Sequence, residues 1–320
     1  MADATAGAPQ EPAVARLGTA VLHEPLTALS TENISSFRGV ANRQEVDASL
    51  GFLQDLPGRW YGSGFNLTAR PDFAGQHNIF LELNLTRETL DFSAIGSPIP
   101  NRGSKQGDIN LFGATYLQQI SDATTGGALH IEPGIWLNIP ATTVPAAEGT
   151  VARLATIPHG DAMNAQGKGL SVAAGPTINP ANTVPFDIGT PTPPPGAPNP
   201  FPEYNLSVAS AFRTTPVPAG ITQAMIDDPN TLLRDALVGH TVTQTVVLEV
   251  STTPTGGVEN IPFIVQNADA AFVSAIFWIE TLTHPSYGTF MQLQYTQTVL
   301  LNFDELSWPH VSVATLVKGF

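Results

Sequence analysis

The sequence predicts an all-β protein, a closed antiparallel β-barrel of about ten strands. About ten segments have the residues of strands, and several alternate apolar and polar side chains. This period of two is typical of an antiparallel strand with one buried face. Glycine and proline number 28 each and punctuate the strands as turn residues do. Closure into a barrel removes exposed sheet edges, and this number of antiparallel strands therefore favours a barrel.

The composition excludes several classes of protein. The net charge is −14 and only 12% of residues are charged, which argues against nucleic-acid partners, because neutralising phosphates needs clustered Lys and Arg. Cysteine is absent, so disulfides and thiolate chemistry are excluded. We find no stretch of 18 apolar residues and therefore expect no membrane span. We also find no signal peptide pattern, which leaves a cytoplasmic protein and a processed secreted form both open.

The chain is predicted to divide into an N-terminal arm, residues 1–45, and a single barrel domain, residues 46–320. The arm has weak periodicity. Apolar residues then recur at helical spacing at Val46, Leu50 and Leu53, and a proline follows soon after. This pattern predicts a short helix directly before the first strand.

The predicted strands fall into two groups. The first group is RWYGSGFNLTAR, IFLELNLTRETLDFSAI, DINLFGATYLQQISD, ALHIEPGIWLNIP and TVARLATIP. The second group is YNLSVASAF, HTVTQTVVLEVST, FVSAIFWIETLT, TFMQLQYTQTVLLNF and HVSVATLVK. The alternation is clearest in the ninth segment, where Met291, Leu293 and Tyr295 share one face.

A Pro-rich excursion, predicted over residues 161–202, separates the two groups. Ten prolines lie between Pro176 and Pro202, which predicts an extended surface segment; a lid over a barrel mouth is the second interpretation. Later, DDPNTLLRDALVG predicts a short helix with Asp228 as N-cap and Gly239 at its C-terminal cap. A helix of this kind is expected to close one end of the barrel.

The start of the first strand carries a more specific pattern. Gly58-Arg59-Trp60 matches the G-x-W that opens lipocalin-like barrels, in which the Trp plugs the closed end. An ordered series of motifs extends the match over residues 45–319, including GRWYGSGFNL, ETLDFSAIGSPIPNRG, YLQQISD, HIEPGIWLNIPATTVP, AIFWIE and WPHVSVATLVK. The series resembles a lipocalin-like, often heme-binding-like, family that includes the fungal hetero-Diels–Alderases of tropolone–sesquiterpenoid (eupenifeldin and pycnidione type) biosynthesis. Thr115 departs from it, since many relatives have His there.

The resemblance implies a cofactor-independent enzyme. Such a pericyclase would join a tropolone o-quinone methide to a humulene-type alkene inside the barrel, so its partners would be small apolar molecules. The family is wider than this reaction, which leaves a carrier or heme-binding barrel for an apolar ligand as the alternative. A filled, purely structural barrel is a third interpretation. An exposed edge or the Pro-rich excursion is a candidate surface for a homodimer.

Polar and aromatic strand residues supply the candidate site. A hydrogen bond to the heterodiene carbonyl would stabilise charge that builds there, and flat apolar ligands need aromatic walls with few polar groups. The candidate hydrogen-bond donors are His130, Gln118, Asn66 and Arg102. The candidate substrate-binding residues are Trp136, Trp278, Tyr116, Gln292, Gln294, Phe290 and His159. Packing of the aromatic residues in a core, and of the histidines in turns, is the alternative interpretation of both sets.

Two observations limit the histidine chemistry. No two of the seven histidines are two or four residues apart, so the sequence contains no local metal-ligand pair and we predict no metal site. In HIEPGIWLNIP, Pro133-Gly134 predicts a bulge or bend in a strand. Simple alternation would place His130, Glu132 and Trp136 on one face. No third partner for a catalytic His–Glu pair is evident in the sequence.

Overall fold

The barrel closes on itself. The computed structural model describes residues 43–253, 257–286 and 288–319, which belong to one compact unit. All but the last three residues of the predicted N-terminal arm lie outside the described residues. Ten long antiparallel strands follow one another in chain order, and the last pairs with the first from Trp60↔Lys318 to Leu67↔Val311. The predicted all-β barrel of about ten antiparallel strands is confirmed.

The bounds of the elements are as follows. The barrel strands are β1 (Gly58–Asp72), β2 (His77–Ala94), β3 (Ile109–Asp122), β4 (Ala128–Ile139), β5 (Thr150–Ile157), β6 (Asp161–Val172), β7 (Thr241–Ser251), β8 (Asp269–His284), β9 (Gly288–Phe303) and β10 (Leu306–Lys318). The helices are α1 (Arg43–Ser49), α2 (Gln223–Asp227), α3 (Thr231–Asp235) and α4 (Pro262–Val265), with 3-10 turns at Gly51–Leu53 and Pro202–Tyr204. Short strand pieces are Ile99–Asn101, Thr142–Thr143, Ala146–Ala147, Phe186–Asp187 and Gly257–Asn260.

One predicted strand is wrong and one strand was missed. YNLSVASAF, residues 204–212, forms turns instead of a strand, whereas residues 161–172 form β6. The excursion therefore begins after Val172, not at residue 161, and continues to the start of β7. The strand signal of β6 is weak because glycines interrupt it. Gly167 is needed there, since a Cβ would lie 1.8 Å from the carbonyl oxygen of Glu249 on β7.

The N-terminal segment, α1 with the 3-10 turn that follows it, closes one end of the barrel. Leu50 directly follows α1, Leu53 ends the 3-10 turn, and Leu56 comes three residues later. All three are fully buried in the same cluster as Trp60. The indole Nε1 of Trp60 donates to the carbonyl oxygen of Leu56 at 2.8 Å. The helix predicted before the first strand is confirmed, and Trp60 packs as the G-x-W pattern predicts. No helix among the described residues is long and apolar enough to cross a membrane.

The excursion forms a second core on the outer wall of the barrel. Leu233, Tyr204 and Ile226 of the excursion pack in one buried cluster with Trp278 and Trp308 of the wall. The segment therefore has an apolar face of its own, which its proline content hides. The excursion is therefore neither a loose surface loop nor a lid over the cleft described below.

The helix predicted over DDPNTLLRDALVG lies within the excursion and begins later than expected. Asp228 follows α2, and its side chain accepts hydrogen bonds from the N–H groups of Ala181 and Asn230 at 2.9 and 3.1 Å. Helix α3 starts only at Thr231, and Gly239 has a positive φ of 84° beyond its end. Since α3 packs on the outer wall, the expectation that it closes a barrel end is wrong; the N-terminal segment does so.

Candidate functional site

The barrel wall opens beside β4. Strand β4 pairs with β3 over most of its length, but with β5 only from Gly134 to Ile139. The pairing of β4 with β5 ends next to Pro133, which has no N–H to donate. Of the bulge or bend predicted at Pro133-Gly134, the bulge is wrong, because the pairing with β3 passes through both residues and its register shift lies between Ile120 and Ser121. The first half of β4 is therefore an unpaired edge facing β5.

A cleft at this edge meets a small cavity. The cleft has a volume of about 710 Å³ and includes Glu88 and Pro158 among its walls. The inner cavity has a volume of about 60 Å³. Four residues line both spaces and so form their junction: Ile120, Leu129, His130 and His159.

A buried ion pair lies behind the junction. The guanidinium Nη2 of Arg153 donates to Glu132 Oε1 at 2.6 Å, and both side chains are almost fully buried. Tyr116 Oη donates to the same carboxylate and accepts from Arg153 Nε at 2.9 Å. Arg153 Nη1 donates to Gln297 at 2.6 Å. The guanidinium also lies 5.1 Å from the ring centroid of Phe277, so the charge has aromatic as well as ionic partners.

These contacts set the protonation states. Burial alone would raise the pKa of Glu132, but the charge of Arg153 and the hydrogen bond from His130 lower this pKa to about 2. Burial raises the pKa of Tyr116 well above its usual value. Glu132 is therefore ionised and Tyr116 is neutral at any physiological pH.

His130 connects the ion pair to the cleft. Its Nε2 lies 3.2 Å from Glu132 Oε2, an arrangement in which the carboxylate orients the ring. Its ring centroid is 5.7 Å from that of His159. The structure thus supplies the third partner that the sequence did not reveal, Arg153. The signal was a charged residue on the apolar face of β5, between Val151 and Ala155.

A second carboxyl group has a different environment. Glu88 Oε2 accepts a hydrogen bond from Tyr295 Oη at 2.6 Å, and Oε1 accepts from Thr86 Oγ1 at 2.8 Å. Gln118 Nε2 donates to Tyr295 Oη at 2.9 Å. Burial raises the pKa of Glu88, against the lowering effect of these hydrogen bonds. Because no described residue pairs with it as Arg153 pairs with Glu132, this carboxyl group holds its proton more tightly than Glu132 does.

The opposite wall of the inner cavity is a histidine–amide group. Asn66 Oδ1 lies 2.7 Å from His310 Nε2 and accepts from Ser312 Oγ at 2.7 Å. Desolvation, helped by the nearby His130 and His159, lowers the pKa of His310 to about 3. The ring is therefore neutral, and its Nε2–H donates to Asn66. The sequence identified Asn66, but interpreted His310 as a turn residue.

The structure brings some of the predicted site residues together and separates others. His130, Gln118, Asn66 and His159 line the inner cavity, and Tyr116 binds the ion pair behind it. Trp136 is buried 5.2 Å from the ring of Phe277, as a core residue in the barrel interior.

Five predicted residues lie away from this site. Arg102 is exposed on a loop and pairs with Asp108. The other four are on the outer face of β8 or β9: Trp278, Phe290, Gln292 and Gln294. The prediction that Trp278 forms a wall of the barrel interior is wrong, because it packs in the outer cluster while Phe277 faces inward.

The two glutamines are buried by outer-wall partners. Gln292 donates to Glu280 at 2.8 Å, and Gln294 donates to the carbonyl oxygen of Leu233 in α3 at 2.9 Å. Their predicted place in the cavity is corrected accordingly. Among the described residues, no group of three or more His, Asp or Glu side chains is placed to hold a metal ion.

Comparisons with known proteins add a likeness of fold. No protein-family model matches the chain, and no curated protein matches it. Among solved structures, the chain is similar to Rv2717c from M. tuberculosis, with 15% sequence identity, coverage of 84% of this chain and 98% of that chain, and a TM-score of 0.41. At this distance the likeness carries no inference about a ligand or a reaction.

Proposed function

We propose that the protein is a pericyclase that catalyses an intermolecular hetero-Diels–Alder cycloaddition in natural-product biosynthesis. The substrates would be a tropolone-type o-quinone methide and a humulene-type sesquiterpene alkene. The observation that carries the proposal is the cleft of about 710 Å³, which meets a small polar cavity at His130 and His159. A space of this volume lies within the range of about 300–1,000 Å³ usual for small-molecule sites.

Holding the two reactants together is the main contribution expected of the cleft. A cycloaddition needs no nucleophile, and orienting two molecules in a near-attack pose removes translational and rotational entropy worth up to roughly 7–11 kcal/mol. Leu129 and Ile120 offer apolar surface at the junction. The alkene would enter at the unpaired edge of β4, beside the cleft.

Polarising the heterodiene is the second contribution. As an imidazolium, His130 would donate its Nε2–H to Glu132 and its other N–H to the carbonyl oxygen of the quinone methide. Charge builds on this oxygen in the transition state, so a donor fixed in advance lowers the barrier. The buried Arg153 keeps Glu132 ionised and in place. These roles use only side chains of this chain and need no cofactor.

The test is enantioselective product formation. The full chain is incubated with a quinone-methide precursor and a humulene-type alkene, and the adduct is resolved by chiral chromatography. We expect one enantiomer, at least tenfold less product with His130→Ala, and unchanged product with His77→Ala, whose ring stacks on Phe212 on the outer wall. Racemic adduct formed at the background rate by the folded protein would refute the proposal.

A carrier or heme-binding barrel is the second candidate, favoured by three histidines around one cavity. His130, His159 and His310 line it together, and a heme would need one such axial ligand with apolar walls. The discriminating measurement is titration with hemin. A Soret band that disappears in His159→Ala, together with a racemic adduct, would support the carrier; a selective adduct without hemin binding would support the pericyclase.

A further inference from the structure

A second pocket lies within the excursion, away from the cleft. It has a volume of about 420 Å³, and all its lining residues lie between positions 183 and 227. It shares no lining residue with the cleft or with the inner cavity. Phe201 forms part of its wall, and the ring of Phe201 is fixed 4.7 Å from that of Trp308 in the barrel wall. The pocket is therefore part of the packed outer core.

Two hydrogen-bonding groups of this pocket have no partner among the described residues. Tyr204 is 2% exposed, and its Oη has no hydrogen bond to any described residue. The Nδ2 of Asn199 likewise has no hydrogen-bond partner among the described residues. Asn199 Oδ1 accepts from the backbone N–H of Phe201 at 3.0 Å, which fixes the amide with Nδ2 free. Unsatisfied buried polar groups are costly, so a ligand that enters the pocket and hydrogen-bonds with both groups would recover part of that cost.

Other polar groups of the pocket are already engaged. Gln223 donates to the carbonyl oxygen of Tyr204 at 2.9 Å and to Asp227 Oδ1 at 2.8 Å, and accepts from the N–H of Leu206. Thr183 donates to the carbonyl oxygen of Ile226. Besides Tyr204 and Asn199, the exposed carboxylate of Asp227 at the rim is the polar group best placed to meet a ligand.

We propose that this pocket binds a small neutral polyol of monosaccharide size. Tyr204 and Asn199 offer donors, so the ligand must carry acceptors; Asp227 is an acceptor, so the ligand must also carry a donor. Each hydroxyl group supplies both. None of the described lining residues is Lys or Arg, which disfavours phosphates and carboxylates in a chain of net charge −14. Phe201 and Ile226 give the apolar surface on which the C–H face of a sugar ring packs.

The proposal is independent of the cycloaddition and can be tested separately. Saturation-transfer NMR with D-glucose, D-mannose, D-galactose and N-acetylglucosamine measures binding to the full chain. We expect at least one of these sugars to bind, and its dissociation constant to rise at least tenfold in Tyr204→Phe. Asn199→Asp keeps the acceptor for Phe201 and removes the donor, and we expect the same loss. His130→Ala, in the cleft, is the control and should bind the sugar normally.

Each other outcome counts against the site. Absence of signal from all four sugars would mean that water alone satisfies Tyr204 and Asn199, which overturns the proposal. Binding that survives both substitutions would place the sugar elsewhere. Binding of ethanolamine or putrescine without any neutral sugar would overturn the ligand class. Because Tyr204→Phe removes a hydroxyl group that has no partner, we expect it to fold as the parent does, which thermal unfolding verifies.

Discussion

The inner and outer cores of this protein each bury one carboxylate completely, with opposite results. Glu132, inside the barrel, has Arg153, Tyr116 and His130 as partners, and its pKa falls to about 2. Glu280, on the outer wall, has one hydrogen bond among the described residues, from Gln292, and burial raises its pKa to about 7. Both are 0% exposed. Burial therefore does not decide the charge of a carboxyl group; the charge of its neighbours does.

The comparison also separates two ways of building a core. The outer core joins the excursion to the wall by apolar packing, as most cores do. The inner core includes a buried ion pair, which stabilises a fold little and is often replaceable by apolar residues. The ion pair of Arg153 and Glu132 is therefore better explained by its role in orienting His130 at the cleft than by a contribution to stability.

Breaking the inner ion pair should have the largest effect on stability. Arg153→Met leaves Glu132 buried without its cation, which costs about 3–5 kcal/mol in such pairs. The double variant Glu132→Gln/Arg153→Met removes both charges and should recover most of that loss. Urea denaturation at pH 7 measures both free energies of unfolding. Equal losses in the single and double variants would show that the methionine packs badly, and would contradict the electrostatic explanation.

A truncation in the outer core should lower the free energy of unfolding less, and it should leave ligand binding in the cleft unchanged. Leu233 is fully buried against the wall, so Leu233→Ala should cost about 3 kcal/mol. Leu170→Ala is the control, since Leu170 is 47% exposed and surface changes usually stay within about 0.5 kcal/mol. Denaturation and displacement of an apolar dye from the cleft are measured together. Weaker dye binding in Leu233→Ala would mean that the two cores are coupled.

The pKa of Glu280 predicts a pH dependence of the opposite sign to that of Glu132. Between its ordinary value of 4.5 and about 7, Glu280 is protonated in the folded state and ionised in the unfolded state. This difference lowers stability as pH rises through the window, by roughly 3 kcal/mol. Glu132, with its lowered pKa, loses stability instead as pH falls from 4.5 toward 2.

Glu280→Gln isolates the outer contribution. The variant should be more stable than the parent at pH 8, by roughly 3 kcal/mol, and about equally stable near pH 4. Glu249 is exposed on the neighbouring strand. Glu249→Gln makes the same change of charge and should leave the free energy of unfolding unchanged at both pH values. Denaturation curves at the two pH values give the difference. A constant difference between Glu280→Gln and its parent at both pH values would contradict the raised pKa.

The sequence predicted the fold better than the site, for a physical reason. Alternation and the G-x-W pattern are local, and they sufficed for the strands and for Trp60. In Phe277-Trp278, by contrast, both faces of the strand are buried, because the excursion covers the outer wall. Alternation of polarity then no longer distinguishes the inside from the outside. The same covering buried Gln292 and Gln294 away from the cavity.

The site depends on contacts between distant strands. His310 of β10 reaches Asn66 of β1 only because the barrel closes, and no local spacing in the chain reports that. Arg153 and Glu88 were recognisable in principle, each as a charged residue at an inward position of its strand. What the sequence lacked was a reason to pair Arg153 with Glu132, which lies 21 positions earlier.

The smallest effect is expected at Arg102, which the sequence placed in the cavity. Its side chain is 78% exposed and pairs with Asp108, so Arg102→Ala should leave the dissociation constant of a cleft ligand within twofold. Asn66→Ala is the matched change at a residue that lines the inner cavity. It removes the acceptor of His310 and Ser312 and should weaken binding roughly tenfold, the value of one hydrogen bond. Fluorescence titration with one apolar dye compares the two. If Arg102→Ala weakened binding as much as Asn66→Ala, the ligand would extend to the loop of Arg102, and the site would be larger than the cleft and its inner cavity.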